Sequence, residues 1–219
     1  MAADLSGALA AAAIKHSARI RVPARARRIE HDADQLRIHL DTDAAITAQH
    51  VVIAAGSWSG RIDIDGVAPL PVRPIRGQLL QLASDAPALN RIVWGPRCYL
   101  VPAGEGSILV GATVEDAGFD ERTTVAGVRD LLDGACDLVP SLWQASFVGA
   151  RVGLRPATPD EMPIIGRSAK MPGLVYATGH YRNGVLMAPF TARAVADLVL
   201  DNREDPLLEP ASPQRFGEY

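Results

Sequence analysis

Two apolar runs that each stop at a glycine constrain this chain more than any other feature. They are "VVIAAGSWSG" (residues 51–60) and "LVYATGHYRNG" (residues 174–184). Continuous apolar residues suit a strand covered on both faces. A glycine at the strand end lets a ligand approach the backbone closely. In open α/β sheets, ligands bind beyond the carboxyl ends of the strands. The N–H groups at the start of a following helix favour an anionic or electron-rich partner. One such strand also fits an ordinary strand-to-helix turn. Two in one chain, the second followed by His180, Arg182 and Asn183, point to a cofactor site.

The rest of the chain supplies a frame for them. Residues 4–17 read as a helix, with Leu5, Leu9, Ala12, Ala13 and His16 on one face and Asp4 capping its start. A short strand is expected at 20–22 and a β-meander over 26–53, with a turn at "DTD" (41–43). From Val72 the character changes. "VRPIRGQLLQLAS", "RIVWG", "CYLVPAG" and "SILVGATVE" are short strands parted by Gly and Pro, the mark of an antiparallel sheet. A helix is expected at 123–136, strand again at 146–156, a short apolar piece at 162–166, and a closing helix from Gly184. Pro189 lies early in that helix, where it would start a straight section or kink it. The fold class is therefore α/β plus α+β. Residues 1–66 and 167–202 form one domain, 67–166 an inserted antiparallel domain, and 203–219 an extended tail.

Composition limits the function classes. With 25 acidic and 22 basic residues, the net charge of −3 argues against a nucleic-acid partner. Cys98 and Cys136 form no C-x-x-C pair and have no His at metal spacing, so they read as reduced thiols and no metal site is expected. The alanine-rich N-terminus has no basic flank and no stretch is long enough for a membrane span, which gives a cytoplasmic expectation.

Several segments together resemble a known family. "VVIAAGSWS", "PVRPIRGQLLQL", "CYLVPAGEGSILVGATVED", "VGLRPATPDEMPIIG" and "GLVYATGHYRNGVLMAPFTARAVADL" occur in the order found in the C-terminal part of the FAD-dependent D-amino-acid oxidase family. Within that family they are similar to the glycine oxidases of thiamine biosynthesis. The resemblance runs from about residue 4 to about residue 200. It implies a partial, Rossmann-like FAD-binding domain with an inserted antiparallel substrate domain. It also implies oxidative deamination of a small amino acid such as glycine, sarcosine or a D-amino acid. A hydride passes from Cα to the flavin, the imine hydrolyses, and oxygen is reduced to hydrogen peroxide. The cofactor carries the electron chemistry, so no catalytic side-chain base is assigned when the amine binds neutral.

Residue roles follow from the same resemblance. Arg155 of "GLRP" resembles the clamp on the substrate carboxylate, a task suited to a planar guanidinium. Tyr99 resembles the tyrosine that assists it, and Arg182 a second substrate-side arginine. Gly179, His180, Arg182, Asn183, Gly184, Val185 and Leu186 resemble the segment lining the flavin, and Gly56 and Trp58 a second flavin-contacting turn. Taken alone, Arg155 reads as a surface arginine, Tyr99 as a core tyrosine, and His180 as a backbone-bonding imidazole. Arg76 falls in a family motif, "IRGQLL", without an evident role.

One departure is large. Family members open with a βαβ unit carrying G-x-G-x-x-G, which holds the FAD pyrophosphate. No such motif occurs; "GEGS" (104–107) sits in a hairpin. About two fifths of the length of a two-domain family chain is absent, so Met1 reads as an internal start of a gene fragment. The glycine-ended strands should then lose neighbours and expose apolar edges. Three readings stay open: a truncated oxidase; a D-amino-acid dehydrogenase or sarcosine-oxidase-like relative; and a non-catalytic fragment or subunit needing a separate FAD-binding chain. A homo-oligomer is a further expectation.

Overall fold

The structure, a computed structural model, describes residues 2–84, 89–217 and 219. In chain order the elements are α1 (Ala2–Lys15), β1 (Ala26–Asp32), β2 (Gln35–Leu40), β3 (Ala45–Ala48), β4 (Val51–Ile53) and β5 (Asp63–Ile64). Next come β6 (Arg73–Ala83), β7 (Val93–Trp94), β8 (Tyr99–Pro102), β9 (Ser107–Gly111) and α2 (Val125–Leu138). The chain closes with β10 (Ser146–Ala157), β11 (Ile164–Arg167), β12 (Leu174–Thr178) and α3 (Gly184–Asp201). The fold is mixed α/β, and its two compact units are Met1–Val72 with Thr158–Tyr219, and Arg73–Ala157.

The first unit is layered. One sheet has the order β3-β2-β1-β5 and a second the order β11-β12-β4. Ile29, Leu36, Ile53, Ile64, Leu174 and Tyr176 form one core cluster of this unit. Alternation along β12 sends Val175 the other way, to join Ala194 and Leu198 of α3. Arg167 helps close α3 by donating to the Leu198 carbonyl and, at 2.9 Å, to Asn202 Oδ1. Asn202 itself turns left-handed, with φ of 51°, as a helix C-cap often does.

The second unit is a five-stranded antiparallel sheet, β10-β6-β9-β8-β7. Leu80, Leu82, Leu100, Ile108 and Val110 point to one face, where they pack on Leu131, Ala135 and Cys136 of α2. Thr124 caps α2 by accepting from the Gly127 N–H at 3.2 Å.

Several expectations change. No strand forms at 20–22, where Pro23 leaves only three residues before the break. The apolar side of α1 is not buried: Leu5, Leu9 and Ile14 are exposed. Residues 67–72 and 158–166 belong with the first unit rather than the inserted one. Leu70 and Ile164 explain this, since both are core residues there. The tail is not extended. Pro206–Ala211 and Pro213–Phe216 wind into 3₁₀ turns, and Leu208 and Ala211 enter the α3 cluster. Pro189 neither begins nor ends α3, which continues through it. Among the described residues no helix is long and apolar enough to cross a membrane.

Candidate active site

The two glycine-ended strands are neighbours. β12 and β4 pair in parallel, with Leu174 opposite Val51 and Tyr176 opposite Ile53. Their carboxyl ends therefore emerge side by side. The Thr178 hydroxyl ties those ends together, lying 3.1 Å from the Gly56 carbonyl and 2.7 Å from Ser59 Oγ. Thr178 and Ser59 are both buried.

Each strand end then turns into a helical segment. Gly56 has φ of 53° and opens the 3₁₀ turn Gly56–Arg61, which carries Trp58. Gly179 has φ of 75°, a conformation that favours glycine. A Cβ there would lie 2.8 Å from Thr158 Cγ2, so a larger residue would force its neighbour to move. Tyr181 also turns left-handed, and the Arg182 guanidinium lies 5.7 Å from its ring centroid. His180 Nε2 sits 2.9 Å from Thr191 Oγ1, which anchors the loop to α3. Burial pushes its imidazole pKa down, favouring the neutral ring.

The mouth of α3 is uncapped. Asn183 makes no side-chain cap bond, and the first helical bond in the turn runs from Met187 N–H to Asn183 O at 2.8 Å. The N–H groups of Gly184, Val185 and Leu186 precede it and have no intrahelical acceptor. Leu186 is 81% exposed, Val185 58% and Trp58 42%. Outward N–H donors beside exposed apolar side chains suit a flat group with an apolar face and an electron-rich edge. A flavin ring is such a group, and the residues present fit it.

The second unit carries the other expected residues on the sheet face opposite α2. Tyr99 pairs with Gly111, and Gly111 with Leu79. Arg155 pairs with Ile75, on the same face as Gly77. Two glycines make room for the two side chains: a Cβ on Gly111 would strike the Tyr99 ring, and one on Gly77 the Arg155 guanidinium. Arg155 Nη1 donates to the Thr113 carbonyl at 3.0 Å and to that of Arg76 at 3.4 Å. Trp94, opposite Tyr99 on β7, packs its ring against it, with centroids 4.9 Å apart.

Sequence reasoning missed the support beneath Arg155. Arg76 is 6% exposed and forks onto Glu115 Oε2, at 2.6 Å from Nη2 and 3.2 Å from Nε. Its Nη1 lies 3.0 Å from Asp120 Oδ2. Gln78 Nε2 donates to Glu115 Oε1 at 2.8 Å and to Thr124 Oγ1 at 2.9 Å. Burial would raise the Glu115 pKa, but the bonds from Thr113, Gln78 and Arg76 outweigh it and hold the carboxyl low. The available signal was Gly77, since a glycine inside a strand marks a close approach.

A layered first unit, joined in sequence to an antiparallel sheet, defines a mixed α/β fold of two units. The family described as "DAO: FAD dependent oxidoreductase" matches residues 2–198, and the chain belongs to it. A bifunctional protein ThiO/ThiG of Nostoc sp. is 47% identical over 167 residues, covering 74% of this chain and 25% of that protein. A glycine oxidase of Geobacillus kaustophilus is 39% identical over 159 residues, covering 72% and 42%. The crystal structure of glycine oxidase from Geobacillus kaustophilus superposes with a TM-score of 0.90 at 36% identity, over 97% of this chain and 57% of that one. The chain thus spans less than half the length of these curated relatives.

Proposed function

We propose that this chain is part of an FAD-dependent amino-acid oxidase that deaminates a small amino acid such as glycine, sarcosine or a D-amino acid, with oxygen as electron acceptor and hydrogen peroxide as product. The observation that carries the reading is the parallel pairing of β12 and β4, which sets two glycine-ended turns and the uncapped start of α3 together. In this reading Gly56, Trp58 and the segment Gly179, His180, Arg182, Asn183, Gly184, Val185 and Leu186 hold the flavin ring. Backbone N–H groups of the first turn of α3 meet its electron-rich edge, and Leu186 and Trp58 exclude water from its faces. FAD, when bound, accepts the hydride and electron pair lost from the substrate Cα.

The second unit supplies recognition. Arg155 presents a permanently charged, planar fork that binds the substrate carboxylate in two parallel hydrogen bonds. The Tyr99 hydroxyl adds a third bond, and Arg182 is a further substrate-side cation. The glycines beneath Tyr99 and Arg155 keep both side chains low on the sheet face.

The test is peroxide formation by the FAD-loaded protein with glycine, sarcosine and D-alanine, wild type against Arg155→Lys. Loss of the bidentate bond should lower kcat/KM by about 10²-fold or more, mostly through KM. Equal rates in the two proteins would remove Arg155 from carboxylate recognition. No peroxide from any amino acid in the wild type would overturn the oxidase reading.

A further inference from the structure

The partly buried cluster around Arg76 is not explained by the proposed activity, because none of its side chains lies on the face that carries Tyr99 and Arg155. Its position is nevertheless specific. The two carbonyls that receive Arg155 Nη1 belong to Arg76 and Thr113. Those residues sit in a short antiparallel ladder between 76–78 and 113–115. Arg76 N–H donates to Glu115 O at 2.8 Å, Glu115 N–H to Arg76 O at 3.0 Å, and Thr113 N–H to Gln78 O at 3.2 Å. Side chains lock the same ladder from its other face: Arg76 onto Glu115, Gln78 onto Glu115, and Thr113 Oγ1 at 2.5 Å from Glu115 Oε1. The Gln78 N–H closes the set by donating to Thr113 Oγ1 at 2.8 Å.

We propose that Arg76, Gln78 and Glu115 are positioning residues for the Arg155 guanidinium, fixing from behind the sheet the two carbonyls on which it rests. The proposal rests on the reading of Arg155 as a carboxylate clamp. A recognition fork works only when its own orientation is held by a supporting shell, and a long arginine side chain otherwise loses rotamer freedom on each binding event. Glu115 is the keystone. One of its oxygens takes the Arg76 fork, and the other takes Gln78 and Thr113. Gly77 completes the device, since the guanidinium lies where its Cβ would be.

The experiment uses the full chain with ¹⁵N-labelled arginine. The Arg155 Nε–Hε resonance is assigned by its loss in Arg155→Lys. Solvent exchange of that proton is then measured in wild type, Glu115→Gln and Arg76→Lys, with the unfolding midpoint of each. Weakening the charge-assisted bonds at Glu115 should speed Arg155 Hε exchange by about tenfold, and the milder Arg76→Lys by less. Arg76→Lys keeps the buried charge, so it reports if Glu115→Gln does not fold. Glycolate is titrated in parallel as a small carboxylate probe. A saturable shift of the Arg155 resonance is expected, with affinity reduced in both variants. Unchanged Arg155 exchange in the variants, with only the unfolding midpoint lowered, overturns the positioning role and leaves the carboxylate reading intact. Faster exchange without any glycolate response in the wild type overturns the carboxylate reading, and the proposal with it.

Discussion

β12 and β4 run side by side and both stop at a glycine, yet they differ in what surrounds them. β12 lies between β11 and β4, and Leu174, Val175 and Tyr176 have no exposed surface. Among the described residues β4 pairs on one side only, and its Val52 is 41% exposed. The glycines differ in the same way. Gly179 is packed against Thr158, while a Cβ on Gly56 would meet nothing within 4 Å. One strand end is thus fixed by its surroundings; the other depends on its neighbour, through Thr178. A shared motif does not give shared rigidity, and the difference lies in what each strand pairs with.

Substitutions can break the comparison in graded steps. Gly179→Ala should have the largest effect, about 2–4 kcal/mol of stability by urea unfolding, from a forced left-handed alanine and a clash with Thr158. Thr178→Val should follow at about 2 kcal/mol, because it strips the buried Ser59 hydroxyl and the Gly56 carbonyl of their shared partner. Gly56→Ala should cost only about 1 kcal/mol, since the backbone conformation alone resists it. Equal losses at Gly56 and Gly179 would erase the distinction.

The wall against Gly179 also has a pH-dependent support. Thr158 Oγ1 is 3.0 Å from Asp160 Oδ1, and Arg215 Nε is 2.7 Å from the other Asp160 oxygen. The Arg215 bond, with help from the Met162 N–H and Thr158, lowers the Asp160 pKa to about 2. A folded value below the unfolded one, about 3.9, stabilises the fold above that unfolded value and ceases to do so as pH falls from about 4 to 2. The pair is 40% exposed on the Asp160 side, so solvent screening limits the effect to less than about 1 kcal/mol. Melting curves of wild type and Asp160→Asn should converge below about pH 2 and separate above about pH 4. Val52→Thr should be the mildest change, within about 0.5 kcal/mol, as expected at an exposed position.

Much of this organisation was legible in the sequence. The alternation in "QLRIHL" and the glycine-bounded runs after Val72 gave the strands of both units. The parallel neighbours β4 and β12 were not readable, because pairing is a long-range choice that local pattern does not encode. The exposure of Val52 contradicts the both-faces-covered reading of "VVIAAG" for that position. The tail differs from the extended chain that its prolines suggest: Pro206 and Pro213 sit at the first positions of 3₁₀ turns, and Pro210 lies inside the first of them. Arg155 and Tyr99 are singled out by family motifs alone, and the structure adds the glycines that seat their side chains. The Arg76–Glu115–Gln78 cluster stayed hidden because Glu115 lies 39 residues from Arg76 and 37 from Gln78 along the chain.

The central claim is that the paired glycine ends and the start of α3 receive a flavin ring. The most direct measurement is the visible absorption spectrum of the full chain titrated with FAD, for wild type and Leu186→Glu. Leu186 is 81% exposed, and an acidic residue in a first helical turn does not disturb the helix, so the variant should fold normally. The account predicts a saturable perturbation of the flavin band in the wild type and an affinity lower by about tenfold in the variant, from charge placed against an apolar ring face. A flavin spectrum that stays that of free FAD at every protein concentration, or one perturbed equally in both proteins, would contradict it.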